Sequence, residues 1–271
     1  MLTDSVSFDL ERAVHYALLW GLEGVELRRV GGMHDRVPHV NEQKVRARLV
    51  ASELPVVAVD PGTFMGSIDD RVTWMNEIAQ FEETLGFCRR VGCERIVVSS
   101  FRSDDEATGS DAPSDRRRVV DALQQIGRKA QHAGIRLCVL NERDGTVSTG
   151  AALADLLEAV DMDVVGAAWD PAAARAAGED VDDGLAALGG RVAHVRCRNV
   201  SSARNGWAPA PIDEGEVDWP AQVRLLAGSG YGGPLSLEVD VEPLAKEGLR
   251  GAMTVIRLLR AAQREPDPSA E

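Results

Sequence analysis

Residues 135–170 read IRLCVLNERDGTVSTGAALADLLEAVDMDVVGAAWD. IRLCVLNE (135–142) is an apolar run that turns polar at its end, which predicts a strand. STGAALADLLEAV (148–160) repeats its apolar residues at helical spacing, and VVGAAWD (164–170) predicts a second strand with a polar end. Both strands are nearly continuous in apolar residues instead of alternating. A strand of that kind is covered on both faces, so the unit predicts parallel strands under a layer of helices.

The same unit recurs along the chain. Upstream, the strands are a weak LTDSVSF (2–8), GVELR (24–28), PVVAVD (55–60) and RIVVSSF (95–101). Downstream they are RVAHVRCRNV (191–200) and GPLSLEVD (233–240). Helical patterns follow at 9–21, 41–53, 71–92, 113–134, 179–189, 218–230 and 247–263. Several carry end signals: Asp9 and Asp218 as N-caps, Pro113 and Pro220 in first turns, and Gly21, Gly92 and Gly134 as stops. Eight such units with no composition break predict a single (β/α)8 barrel over 1–264, and residues 265–271 are expected to be a disordered tail. An open doubly wound sheet is the alternative, but no glycine-rich phosphate fingerprint follows the first strand.

Composition narrows the partners. Of 271 residues, 44% are hydrophobic but only 4% aromatic, so the core is built from aliphatic side chains. Thirty basic against 43 acidic residues leave a net charge of −13, which repels nucleic acid and anionic membranes. The four cysteines form no CxxC pair and read as small buried apolar residues, which suits a cytoplasmic setting. No basic apolar leader and no run long enough to span a bilayer are seen.

In a barrel of this kind the site lies at the carboxyl ends of the strands. The polar residues there are Glu26, Asp60, Ser99, Ser100, Asn141 and Glu142 in the first half. Asp170, Arg196, Arg198, Glu238 and Asp240 follow in the second. The long loop NVSSARNGWAPAPIDEGEV after strand seven carries Trp207, a candidate apolar wall for a sugar face. Trp169, next to an inward residue, is expected to pack under the helices.

GLEGVELR, GCERIVV, AAWDPAAARAAGED and RVAHVRCRN resemble, in order, the xylose isomerase-like sugar isomerase/epimerase barrels. EGEVDWP followed by GYGGPLSLE is the most specific part of the resemblance. The resemblance implies a divalent manganese, magnesium, zinc or cobalt ion on a Glu, an Asp, a His and a Glu that end strands five to eight. The ion polarises a sugar carbonyl, and the two glutamates move a proton.

This chain keeps Asp170 and Glu238 at those positions but has Leu140 and Arg196 at the other two. Leucine has no donor atom, and an arginine stays protonated. The expectation is therefore no cofactor. A divalent metal is expected only if a displaced site forms on Asp170, Glu238 and Glu142. Arg196 is expected to stand where the metal would, bridging Asp170 and Glu238 with help from Arg198. Catalysis is assigned to Glu238, Glu142 and Arg196, and substrate binding to Glu26, Asp170, His194, Arg198 and Trp207. His194 can equally be a core histidine bonded to a carboxylate. The implied partner is a small sugar-like ligand, with a homo-oligomer as a further expectation. The alternative is a non-catalytic barrel that binds carbohydrate or protein.

Overall fold

The structure, a computed structural model, describes residues 1–102 and 113–264. The expected tail at 265–271 lies outside the described residues. Seven strands form one all-parallel sheet. They are β1 (Val25–Leu27), β2 (Val56–Val59), β3 (Arg95–Val98), β4 (Arg136–Leu140), β5 (Val165–Trp169), β6 (Val192–Cys197) and β9 (Leu235–Leu237), hydrogen-bonded in that order. The first residues close the ring. Leu2 N donates to Leu237 O at 2.9 Å, and Glu26 N donates to Met1 O at 2.8 Å, which places Met1–Leu2 as the eighth stave. The strand expected over 2–8 shrinks to this bridge. Thr3–Ser5 instead make a 3-10 turn, with Ser5 Oγ bonded back to Leu2 O at 2.8 Å. Short polar side chains compete for the backbone in this way.

Helices alternate with the strands on the outside: α1 (Leu10–Leu19), α2 (Glu42–Ser52), α3 (Arg71–Val91), α4 (Pro113–Ala133), α5 (Gly150–Val160), α7 (Val181–Leu188), α8 (Trp219–Gly228) and α9 (Leu244–Ala262). Their ends follow the sequence signals. Asp9 accepts from Glu11 N at 2.9 Å, Asp218 accepts from Ala221 N at 3.0 Å, and Gly92 closes α3 at φ +69°. A further helix, α6 (Pro171–Ala176), starts on Asp170 where the sequence pattern showed none. Its six residues are too few for a readable apolar period.

The segment 191–200 also differs from a single strand. β6 stops at Cys197, and Asn199 starts an antiparallel hairpin of β7 (Asn199–Ala203) and β8 (Gly206–Ala210). Asn199 anchors the departure, because Nδ2 donates to Ile212 O at 2.8 Å and Oδ1 accepts from Val217 N at 2.9 Å.

Register decides which side chains enter the barrel. Leu140 pairs with Ala168, Ala168 with His194, Arg196 with Ser236, and Glu26 with Ala58. Partners on parallel strands share a face. Ala58, Val97, Cys138, Leu140, Ala168 and Ala193 form a small apolar cluster of their own, separate from the main core between sheet and helices. Trp169 points the other way, fully buried under α8, with Nε1 donating to Gln222 Oε1 at 2.9 Å. All four cysteines are buried and unbridged. Among the described residues, no helix is long and apolar enough to cross a membrane.

Candidate functional site

A cleft of about 460 Å³ opens at the carboxyl ends of the strands, with Leu140, Asp170, Arg196 and Glu238 in its wall. Arg196 forms the floor and is only 4% exposed. Its Nη2 donates to Glu26 Oε1 at 2.7 Å and approaches Asp60 Oδ2 at 3.4 Å, while Nε lies 3.5 Å from Glu238 Oε2. The other Glu26 oxygen faces His194 Nε2 at 3.0 Å. Arginine holds several partners at once because its planar fork carries five N–H donors.

The expected bridge from Arg196 to both Asp170 and Glu238 is half met. Glu238 is reached, but Asp170 belongs to Arg198, whose Nε and Nη2 lie 2.7 and 2.6 Å from Asp170 Oδ2. Asp170 Oδ1 accepts from Ala173 N at 3.0 Å as the cap of α6. Asn141 locks the backbone there, donating to Asp170 O at 2.9 Å and accepting from Asp170 N at 2.8 Å. The helix cap and Arg198 thus hold Asp170 on the barrel wall, away from the Arg196 fork.

Three further residues complete the floor. Arg28 joins Glu238 at 3.0 Å and also donates to Asp4, which Arg29 contacts at 2.8 Å. Arg36 reaches Asp60 Oδ1 at 2.6 Å. Gly62, at φ +77°, is required here, since a Cβ would stand 2.5 Å from the Arg36 guanidinium carbon. Arg28 was legible in principle, because it lies two residues past Glu26 and so shares its face. Asp4 and Arg36 come from a turn and a loop that carry no local signal for the site.

The electrostatics follow from this packing. Burial by itself raises the Glu26 carboxyl, but Arg196 and His194 override it and hold Glu26 well below the ordinary carboxylate range. Burial likewise opposes ionisation of Glu238 and Asp60, and their arginines still hold both low. Arg196 is held well above its ordinary value, as Glu26 and Glu238 outweigh desolvation. Glu142 is the exception. It is half-buried in the cleft wall, makes no ion pair among the described residues, and is pushed up by burial against a hydrogen bond from Ser99.

Trp207, on β8, lines the same cleft, and the Arg175 guanidinium stacks 5.8 Å from its ring centre. Arg175 is tied in turn to Glu216 at 2.9 Å. The cleft therefore gathers Glu142, Asp170, Arg196, Arg198, Trp207 and Glu238, while Glu26 and His194 lie beneath it as supports. Leu140 lines it without a donor atom. Among the described residues, no group of three or more His, Cys, Asp and Glu side chains is arranged to hold a metal ion.

A closed eight-stave parallel barrel with a cleft of arginines and carboxylates at its carboxyl end defines a class of α/β-barrel protein. This chain belongs to the xylose isomerase-like TIM barrel family, which it matches over residues 14–260. No curated protein matches it in sequence. Among solved structures it resembles an L-ribulose 3-epimerase at 17% identity and TM-score 0.78, covering 100% of this chain and 97% of that one. It also resembles an IOLI protein with a bound zinc atom, at 15% identity and TM-score 0.80, with 98% and 99% covered. A xylose isomerase-like barrel from Mycobacterium smegmatis in complex with magnesium superposes at 16% identity and TM-score 0.74, with 93% and 88% covered. At these identities the likeness is one of fold.

Proposed function

We propose that this barrel handles a sugar, polyol, or sugar-acid or sugar-phosphate derivative in the cleft over Arg196, with a guanidinium cluster in place of a divalent cation. One juxtaposition carries the reading: a pinned, buried Arg196 on the floor and an unpaired Glu142 in the wall of the same cleft. The residues do not fit a metal. Leu140 offers no lone pair, Asp170 and Glu238 are engaged by Arg198, Arg28 and Arg196, and these three guanidiniums repel a dication. The set Asp170, Glu238 and Glu142 fails for the same reason.

In this reading Glu142 carries the proton. A carboxyl whose affinity for protons is raised is suited to general acid–base work near neutrality. Glu238 is ill-suited to that task, since two arginines hold it ionised. It serves to orient Arg196 and Arg28. The N–H groups of Arg196 and Arg198 are placed to stabilise negative charge on a substrate oxygen, and Trp207 offers an apolar face. The reaction class is proton transfer beside a carbonyl, as in isomerisation or epimerisation. The excess of arginine in the cleft favours an anionic sugar derivative over a neutral one.

A second reading keeps the binding and drops the turnover. It is favoured by the commitment of Glu238 to Arg28 and Arg196, which leaves a two-base route with one free base.

The test is a panel of aldoses, ketoses, sugar acids and sugar phosphates assayed with chelator present. Isotope exchange from solvent that survives chelator and is lost in Glu142→Gln supports the enzyme. Saturable binding with no exchange in the parent supports the binding barrel. Stoichiometric manganese or zinc on the purified protein at Asp170 and Glu238 overturns the guanidinium reading.

A further inference from the structure

The end of the barrel opposite the cleft holds a second cavity, of about 240 Å³. Arg95, at the start of β3, and Arg136, at the start of β4, both line it. They are register partners on adjacent parallel strands, so their side chains leave on the same side. Among the described residues, neither side chain makes an ion pair or a hydrogen bond, and Arg95 Nε is buried without an acceptor.

This pair stands apart from the arginines of the cleft. Arg28, Arg36, Arg196 and Arg198 are each paired with a carboxylate. The chain has 43 acidic residues, yet none lines this second cavity. Like charges side by side on neighbouring strands repel, and an arginine cannot relieve this by losing its proton.

The remaining wall is largely backbone. It comes from the Gly189–Gly190 turn before β6 and the stretch from Gly230 to Gly233 before β9. The amides of Gly232 and Gly233 donate to no protein acceptor. Glycines allow close approaches around it. A Cβ on Gly166 would stand 3.2 Å from Arg136 Nη2, and one on Gly233 would meet the Tyr231 ring at 2.6 Å. Paired guanidinium forks beside free amides, with no competing carboxylate, are the chemistry that recognises a tetrahedral oxyanion.

We propose that this amino-terminal cavity is an anion site that takes inorganic phosphate or the phosphate of a small phosphomonoester between Arg95 and Arg136. The site is separate from the cleft and does not depend on its reading. A bound dianion converts a repulsive pair into a bridged one and stabilises the folded chain by mass action.

The test uses the full chain, with thermal unfolding and backbone amide shifts followed against phosphate and against chloride at matched ionic strength. Phosphate raises the parent midpoint saturably where chloride does not, and moves the amides of Gly189, Gly190, Gly232 and Gly233. Arg95→Gln or Arg136→Gln weakens phosphate binding by about tenfold or more, as loss of a charge-assisted contact does. Without phosphate, Arg136→Gln is at least as stable as the parent, because the repulsion is gone. Arg143→Gln, at the rim of the other cleft, leaves the phosphate response intact. If Arg95→Gln fails to fold, the exposed Arg136 and the shift map on the parent decide. Ribose 5-phosphate, with ribose as control, separates the two sources: tighter binding than phosphate with the same arginine dependence assigns a phosphomonoester, and equal binding assigns inorganic phosphate. Absence of a saturable response to either, a response that persists in both glutamine variants, or shifts confined to the cleft overturns the proposal.

Discussion

Replacing Arg196 by methionine removes a buried cation that touches three carboxylates. Glu26, fully buried, loses its 2.7 Å contact and is left with His194 as its ion-pair partner, while Glu238 and Asp60 retain Arg28 and Arg36. Breaking a buried pair by deleting one partner costs about 3–5 kcal/mol, because the remaining charge is left in a dry site. Set against a total stability of about 5–15 kcal/mol, this is a large fraction. It corresponds to a fall in melting temperature on the order of 10 °C for a chain this long.

The effect has a pH signature with a definite sign. In the parent, the folded-state pKa of Glu26 is depressed. Its contribution is therefore present above the unfolded carboxylate range and is lost only as pH falls through the lower, folded value. In Arg196→Met burial dominates, and the folded value moves above the unfolded one. The penalty then applies at neutral pH and is relieved as the medium is acidified and Glu26 takes up a proton. Urea unfolding at neutral and mildly acidic pH measures both arms. The gap between parent and variant is a few kcal/mol at neutrality and narrows toward acid. Adding Glu26→Gln to Arg196→Met recovers much of the loss, since the buried charge is gone. A neutral-pH gap under about 1 kcal/mol, or one that does not change with pH, would refute the claim that Arg196 neutralises Glu26.

Three other outcomes follow from the same geometry. Glu142→Gln abolishes solvent exchange while leaving ligand affinity within a few-fold; in the parent, base-dependent turnover rises with pH through a Glu142 value lifted above the ordinary carboxylate range, as pH–rate profiles of kcat/KM would show. Leu140→Glu combined with Arg196→His restores two donor positions and removes a guanidinium, so the double variant gains a divalent-metal isotherm in calorimetry that the parent lacks. Gly62→Ala places a methyl 2.5 Å from the Arg36 guanidinium at a positive-φ position, displaces Arg36 from Asp60 and costs about 1–3 kcal/mol by chemical denaturation.

Much of the architecture was legible because strand and helix periods are local. The runs at 95–101, 135–142 and 164–170 reappear as β3, β4 and β5, each with its polar end at the cleft side of the sheet. The stretch 2–8 reads as a longer strand than it makes, since its few apolar residues say nothing about a ring that closes through Met1–Leu2 alone, set between Leu237 and Glu26. The hairpin Asn199–Ala210 was hidden for a related reason. Nothing within RVAHVRCRNV announces that Asn199 will be claimed by backbone groups 13 and 18 residues further on.

At the site, alternation along a strand sufficed to put Leu140, Arg196 and Glu238 on the inward face, and to show that two residue types there have no metal-donor chemistry. That much depends only on residue identity and a period of two. Which carboxylate each arginine takes depends on distances between strands remote in sequence, and the tertiary structure alone decides it. Arg198 captures Asp170 because the α6 cap and Asn141 hold that carboxylate to the wall, leaving the Arg196 fork to Glu26, Asp60 and Glu238. The sequence supplies the charges, and the closed barrel sets which of them come within a few ångströms, where burial makes the choice of partner matter.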